Sequence, residues 1–226
     1  MAIGKTAILF FSRTQQDEHK AKTFGLSDSH FANLYKFVVN KALSTAYATG
    51  LNVIESYSDQ QKGNSFNERL IHALKQVSEQ GYKRVIVIGN DSPELTTDDV
   101  LIAEKQLANG CHVLGKNKRG GVYLIGIDFE SFDLSRLAEV RWNSNAVFTQ
   151  LKLQLESIYE LAIKHDLNER SDIRDLIKSK NGLGRGIFTF LLNLLRSLTI
   201  LQFRGQRLSH QKLQVALSYR GPPSLI

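Results

Sequence analysis

The sequence predicts an α/β protein: a three-layer domain in which a mostly parallel sheet carries helices on both faces. Three observations lead there. Short, fully apolar runs such as Ala7 to Phe11 and Val85 to Ile88 read as strands buried on both sides, as a parallel sheet requires. Between them lie segments whose apolar residues recur at three-and-four spacing, the mark of a helix with one buried face. The two kinds of segment alternate along the chain, which asks for right-handed crossovers between parallel strands.

Taken in order, Thr6 to Phe11 is the first strand, bounded by Lys5 and Ser12-Arg13. Asp28 to Ala48 places Phe31, Leu34, Tyr35, Val38, Val39, Ala42 and Ala46 on one helical face, with Ser27 or Asp28 as N-cap and Gly50 past the end. Leu51 to Tyr57 is a second strand. Ser65-Phe66-Asn67-Glu68 has capping-box spacing and opens a helix to about Glu79, stopped by Gly81. Arg84 to Gly89 is the third strand. A polar turn, Asn90 to Leu95, leads into a helix opened by Thr96-Thr97-Asp98-Asp99 and closed by Asn109-Gly110, with its acids favourably placed in the first turn. Cys111 to Gly115 and Val122 to Ile127 are two further strands around Lys116 to Gly121, and Ser144 to His165 reads as one long amphipathic helix.

Length and composition fit one such domain with an appendage: the chain has 226 residues, 42% of them hydrophobic. The single cysteine, Cys111, leaves no disulfide framework within one chain and points to a reducing, cytoplasmic setting. The apolar run at Ala7 to Phe11 is too short for a secretory leader. The net charge of +7 is unevenly placed, with 21 Lys+Arg against 22 Asp+Glu over 1–175 and 8 against none over 176–226. The body, 1–175, is therefore near neutral and has no nucleic-acid footprint. The extension, 176–226, is basic and apolar. Within it, Ile187 to Phe203 carries Asn193 and Arg196 and is barely long enough to span a bilayer. It reads as a core helix, a dimer contact, or a helix lying peripherally on an anionic membrane.

In an open α/β sheet, ligands bind beyond the carboxyl ends of the strands. That singles out three loops: Ser12 to Leu26, Asn90 to Leu95, and Lys116 to Gly121. Asp91, held in a turn at a strand tip, is suited to a magnesium or manganese ion bridging a diphosphate, or equally to an Asx-turn or helix cap. Lys20 and Lys22 could meet phosphate as point charges, or belong to a solvated loop. Arg69, in the first turn of a helix, opposes the dipole unless it meets an anion or a carboxylate. Gly120-Gly121 allows a close backbone approach to a ligand, or forms a plain hairpin turn.

Other patterns are excluded. Gly4-Lys5-Thr6 precedes a strand instead of following one, so it is no phosphate loop. Gly182 to Gly186 has no strand leading into it. The histidines at 19, 30, 72, 112, 165 and 210 lack metal-ligand spacing, and no serine sits in a nucleophile elbow.

Several of these blocks together resemble a glycosyltransferase-A-like family of unknown function, often labelled arsenosugar-biosynthesis-type glycosyltransferases. The blocks are Ala7 to Arg13 with Lys20 to Thr23, Gln61 to Leu70, Val85 to Thr96, Gly115 with Gly120 to Gly126, and Trp142. The resemblance covers roughly residues 5–165. It implies a nucleotide-diphospho-sugar transferase fold over 1–175, a nucleotide-sugar partner, Asp91 on a divalent metal and Lys22 near the diphosphate. Departures fall at charged positions. Phe24 stands where the family has an arginine and Arg119 where it has an aspartate. Ser171-Asp172-Ile173-Arg174-Asp175 stands for its Asp-x-Asp motif, making Asp172 the second metal candidate. Arg119 could itself stabilise a departing diphosphate without metal. The expected function is transfer of a glycosyl or nucleotidyl group from a nucleotide-activated sugar, the alternative a non-catalytic nucleotide-binding or interaction module on the same fold. No catalytic base is named.

Overall fold

The structure is a computed structural model that describes residues 6–22, 24–179 and 186–196. The chain divides into two compact units, Met1–Asp172 and Ile173–Ile226. In the first, six strands form one sheet: β1 (Thr6–Ser12), β2 (Asn52–Tyr57), β3 (Arg84–Ile88), β4 (His112–Asn117), β5 (Val122–Asp128) and β6 (Ile158–Lys164), in the order β2-β1-β3-β5-β4-β6. Only β5 runs against its neighbours; β1 pairs in parallel with β2 and β3, and β4 with β6. The expected mostly parallel α/β architecture is observed.

The apolar runs sort themselves between the two faces by the two-residue period of a strand. Ala7, Leu9, Val85, Val87, Ile125 and Ile127 join Leu70, Leu74 and Val77 of α3 (Phe66–Glu79) and Phe148 and Leu151 of α5 (Val147–Gln154). Ile8, Phe10, Ile86, Ile88 and Leu124 join Val39, Ala42 and Ala46 of α2 (Asp28–Tyr47) and Val100, Ala103 and Leu107 of α4 (Thr97–Ala108). Strands covered on both sides cannot alternate polar and apolar residues, hence the unbroken runs.

The helix ends follow local chemistry. Thr96 and Asp99 form a reciprocal capping box on α4, with Thr96 N donating to Asp99 Oδ2 at 2.8 Å and Asp99 N to Thr96 Oγ1 at 3.2 Å. On α3, Ser65 Oγ accepts from Glu68 N at 3.2 Å, but the Glu68 carboxylate reaches one residue further back, to Asn64 N at 2.7 Å. The expected box is therefore displaced by one residue. Gly81 takes φ +89° past the end of α3, a conformation that costs glycine alone no steric penalty.

Two expectations are corrected. The loop after β1 contains a two-turn helix, α1 (Gln15–Ala21), started by Thr14, whose hydroxyl accepts from Asp17 N at 3.4 Å. The long helix over Ser144 to His165 is instead α5 followed by β6. Ser157, at φ 49°, turns the chain, and β6 aligns with β4 through pairs such as Val113↔Tyr159 and Leu114↔Glu160. In the second unit, α6 (Arg170–Ser179), which begins just before the boundary, continues to Ser179, and 186–196 is helical with Ile187, Leu191 and Leu194 buried. No helix among the described residues is long and apolar enough to cross a membrane; the rest of the apolar run to Phe203 lies outside the described residues.

Candidate active site

The strand tips open onto a cleft of about 540 Å³ within the first unit. All three loops singled out from the sequence reach it, through Arg13 and Lys22, through Asp91, and through Arg119 and Gly121. Two further segments complete it: Trp142 to Asn145 before α5, and Asp166 with Asn168 after β6.

Lys22 is the hub. It caps the C-terminus of α1, where its backbone N–H bonds to Glu18 O, and its side chain is only 9% exposed. Its ammonium donates to Asp91 Oδ1, to Glu18 Oε1 at 2.7 Å and to Leu167 O at 3.0 Å. Burial is the largest single influence and disfavours the charge, but Asp91 and Glu18 together outweigh it and hold the ammonium's pKa above its ordinary value. Lys22 thus carries a fixed positive charge that joins three loops.

Asp91 and Asp166 line the same cleft, and the loops after β3 and β6 that carry them are stitched together. Leu167 N donates to Asp91 O at 2.7 Å, Ser92 Oγ to His165 O at 3.1 Å, and His165 N to Glu94 Oε2 at 2.7 Å. Asp166 takes one bond, from Asn117 Nδ2 to Oδ2, while its Oδ1 is buried and has no partner among the described residues. Burial, reinforced by the charge of Asp91, pushes the Asp166 carboxyl up to about 7. Asn117 is itself fixed, since its Oδ1 accepts Gly121 N at 2.7 Å and Arg119 N at 3.0 Å.

Arg119 lines the cleft but is committed: Nη2 bonds Glu169 and reaches Asp172 Oδ1 at 2.5 Å, and the Glu169 bond is foremost in raising its pKa. Asp172 is equally engaged, because its Oδ2 accepts the backbone N–H groups of Asn168 and Glu169, each at 2.8 Å. Both its oxygens are taken by structural partners, which leaves none directed at a metal. Lys20 and Arg69 do not line the cleft. Lys20 is exposed, 3.4 Å from Asp17 Oδ1, and Arg69 donates to Gly63 O at 3.0 Å. Gly121 lines the cleft, whereas Gly120 (φ +85°) lies against the backbone of Asn145 and accepts from Phe148 N at 2.9 Å through its carbonyl. The close approach at Gly120 is thus to the chain's own backbone. Gly120→Ala would drive Cβ into the Asn145 carbonyl and require a left-handed alanine. A loss of about 2 kcal/mol is expected, measured by urea denaturation against wild type.

Among the described residues no group of three or more His, Cys, Asp or Glu side chains is arranged to hold a metal. Asp91 and Asp166, which both line the cleft, nevertheless have the chemistry a hard cation of the magnesium or manganese kind takes, and Asp166 Oδ1 has no protein partner among the described residues. Such ions take one or two protein carboxylates and complete their shell with water and substrate phosphate. Sequence reasoning missed Asp166, Asn117 and Arg13. For Asp166 no local signal exists, because the strand before it carries Glu160 and Lys164 and leaves Tyr159 and Ile163 exposed, a mixed pattern that reads equally as an amphipathic helix.

The fold is that of the nucleotide-diphospho-sugar transferases. A crystal structure from Desulfovibrio desulfuricans G20, provisionally named a nucleotide-diphospho-sugar transferase, superposes with a TM-score of 0.72 over 86% of this chain and 98% of its own, at 22% identity. Residues 34–144 match the family model of DUF2064, described as an uncharacterized protein conserved in bacteria. That segment contains Phe66, Asp91, Arg119 and Trp142. Rv0371c of Mycobacterium tuberculosis in complex with manganese gives a TM-score of 0.44 at 12% identity, over 78% of this chain and 100% of its own. At that score the likeness carries no inference. No curated protein matches the sequence.

Proposed function

We propose that the first unit binds a nucleotide-activated sugar in this cleft and transfers its glycosyl group, or the nucleotidyl group, to an acceptor. The observation that carries this reading is the convergence of Lys22, Asp91, Asp166 and Arg119 at the strand tips of a sheet of this class. Among the described residues, each cation lining the cleft is already engaged by carboxylate: Arg13 by Glu18 at 3.2 Å, Lys22 by Glu18 and Asp91, Arg119 by Glu169 and Asp172. A free diphosphate therefore meets a field that is largely neutralised from within. A divalent ion on Asp91 and Asp166 would supply the positive charge that binds the diphosphate and stabilises it as it departs. Lys22 positions Asp91 for this and adds a fixed charge beside it.

The test is thermal stability of the purified protein against nucleoside diphosphates and nucleotide sugars, each with and without manganese. A rise of several degrees with one nucleotide class in manganese, removed by Asp91→Ala, is expected from ligand linkage. No rise with any compound, or a rise unchanged in Asp91→Ala, overturns the reading in favour of a non-catalytic module.

A further inference from the structure

One wall of the cleft is aromatic. Phe11, next to last in β1, meets Phe66 edge-on with ring centroids 5.6 Å apart, and Phe66 meets Trp142 at 4.9 Å. All three line the cleft. Phe66, the first residue of α3, remains 40% exposed. The Trp142 indole N–H is buried and has no partner among the described residues. Asn143 and Asn145, both exposed, stand beside it on the same rim.

We infer that this wall is the seat of the donor's nucleobase, an inference that rests on the proposed nucleotide-sugar reading. An exposed aromatic ring inside a cleft offers a stacking surface to a flat ligand ring, since every base has a π-face. The rim amides and the indole N–H can donate to the carbonyl and ring-nitrogen acceptors along the edge of a base stacked there. Placement agrees. Phe11 and Arg13 are two residues apart at the end of an extended strand, about 7 Å along it, and both line the cleft. A nucleoside diphosphate likewise holds its base one ribose away from its first phosphate. The aromatic wall and the charged loops therefore match the two ends of one ligand.

Trp142 is the chain's only tryptophan, so its emission reports directly on this wall. The experiment titrates the full chain in manganese with uridine, guanosine and adenosine diphosphates and with inorganic pyrophosphate, following both tryptophan fluorescence and calorimetric heat. Diphosphates of at least one base should quench Trp142 and bind more tightly than pyrophosphate, while pyrophosphate binds without quenching. Phe66→Ala and the milder Phe66→Leu should weaken the nucleoside diphosphate about tenfold or more, as loss of one stacking partner does, and leave pyrophosphate affinity within about twofold. Equal weakening of both ligands, or of neither, overturns the inference, as does a wild type that binds nucleoside diphosphates no better than pyrophosphate. A wild type that binds none of these ligands by calorimetry brings down the nucleotide-sugar reading itself, and this inference with it.

Discussion

Replacing Lys22 by alanine is expected to lower the stability of the domain by about 3 kcal/mol and to abolish any manganese-dependent response to nucleotide. The ammonium is buried between Glu18, whose side chain is 6% exposed, and Asp91. Its removal leaves Glu18 inside with only the more exposed Arg13, at 3.2 Å, to balance it. It also cuts the bond to Leu167 O at 3.0 Å, one of the links holding the β6 loop. Lys22→Met keeps most of the aliphatic stem and loses only the charge, so it separates packing from electrostatics. Comparable destabilisation of both variants in urea titrations would assign the effect to the charge. A loss below about 1 kcal/mol in both, the range of a surface pair, would show that Lys22 is no hub.

Asp166→Asn should remove a pH dependence and make the protein more stable than wild type at pH 8. The Asp166 carboxyl titrates at about 7 in the fold against an ordinary 3.8, chiefly because it is buried and then because Asp91 repels its charge. The folded state therefore holds this proton more tightly than the unfolded chain does. Its stabilising contribution is complete below the unfolded pKa and is lost as pH rises from about 4 through about 7. Three pKa units correspond to a loss on the order of 4 kcal/mol. Asparagine mimics the protonated acid and should flatten that part of the stability curve. A divalent cation should have the opposite effect on wild type, stabilising the ionised form and protecting the protein at high pH. Urea midpoints across pH 4 to 8, with and without manganese, check both; a wild-type curve that rises over this window would refute the assignment.

These two side chains illustrate how the site divides between what is written locally and what is not. The buried runs Ala7 to Phe10 and Val85 to Ile88, all at 8% exposure or less, were legible because a strand covered on both faces has no room for polar residues. The openings of α2, α3 and α4 were legible because a hydroxyl or carboxylate must satisfy the first free N–H groups. Asp91 was legible because it follows such a strand into a turn.

By itself the sequence determined the α/β class, most element boundaries and the three loops that reach the cleft, and it offered Asp91, Lys20 and Lys22 there as candidates without choosing among their alternatives. Tertiary structure decided the rest. Val147, Phe148, Leu151, Leu155, Ile158 and Leu161 fit a helical period, and only pairing with β4, over forty residues distant in sequence, together with a left-handed Ser157 in place of a glycine, makes the second half a strand. That choice brings Asp166 into the cleft lining, whereas Asp172 is engaged by Arg119 and by the backbone N–H groups of Asn168 and Glu169. Likewise the sequence does not choose between Lys20 and Lys22: Lys20 is exposed beside Asp17, whereas Lys22 is buried against Glu18, Asp91 and Leu167. Charged side chains take their roles from partners far away in sequence, as Lys22 does from Asp91 and Leu167, and such partners are known only once the chain is folded.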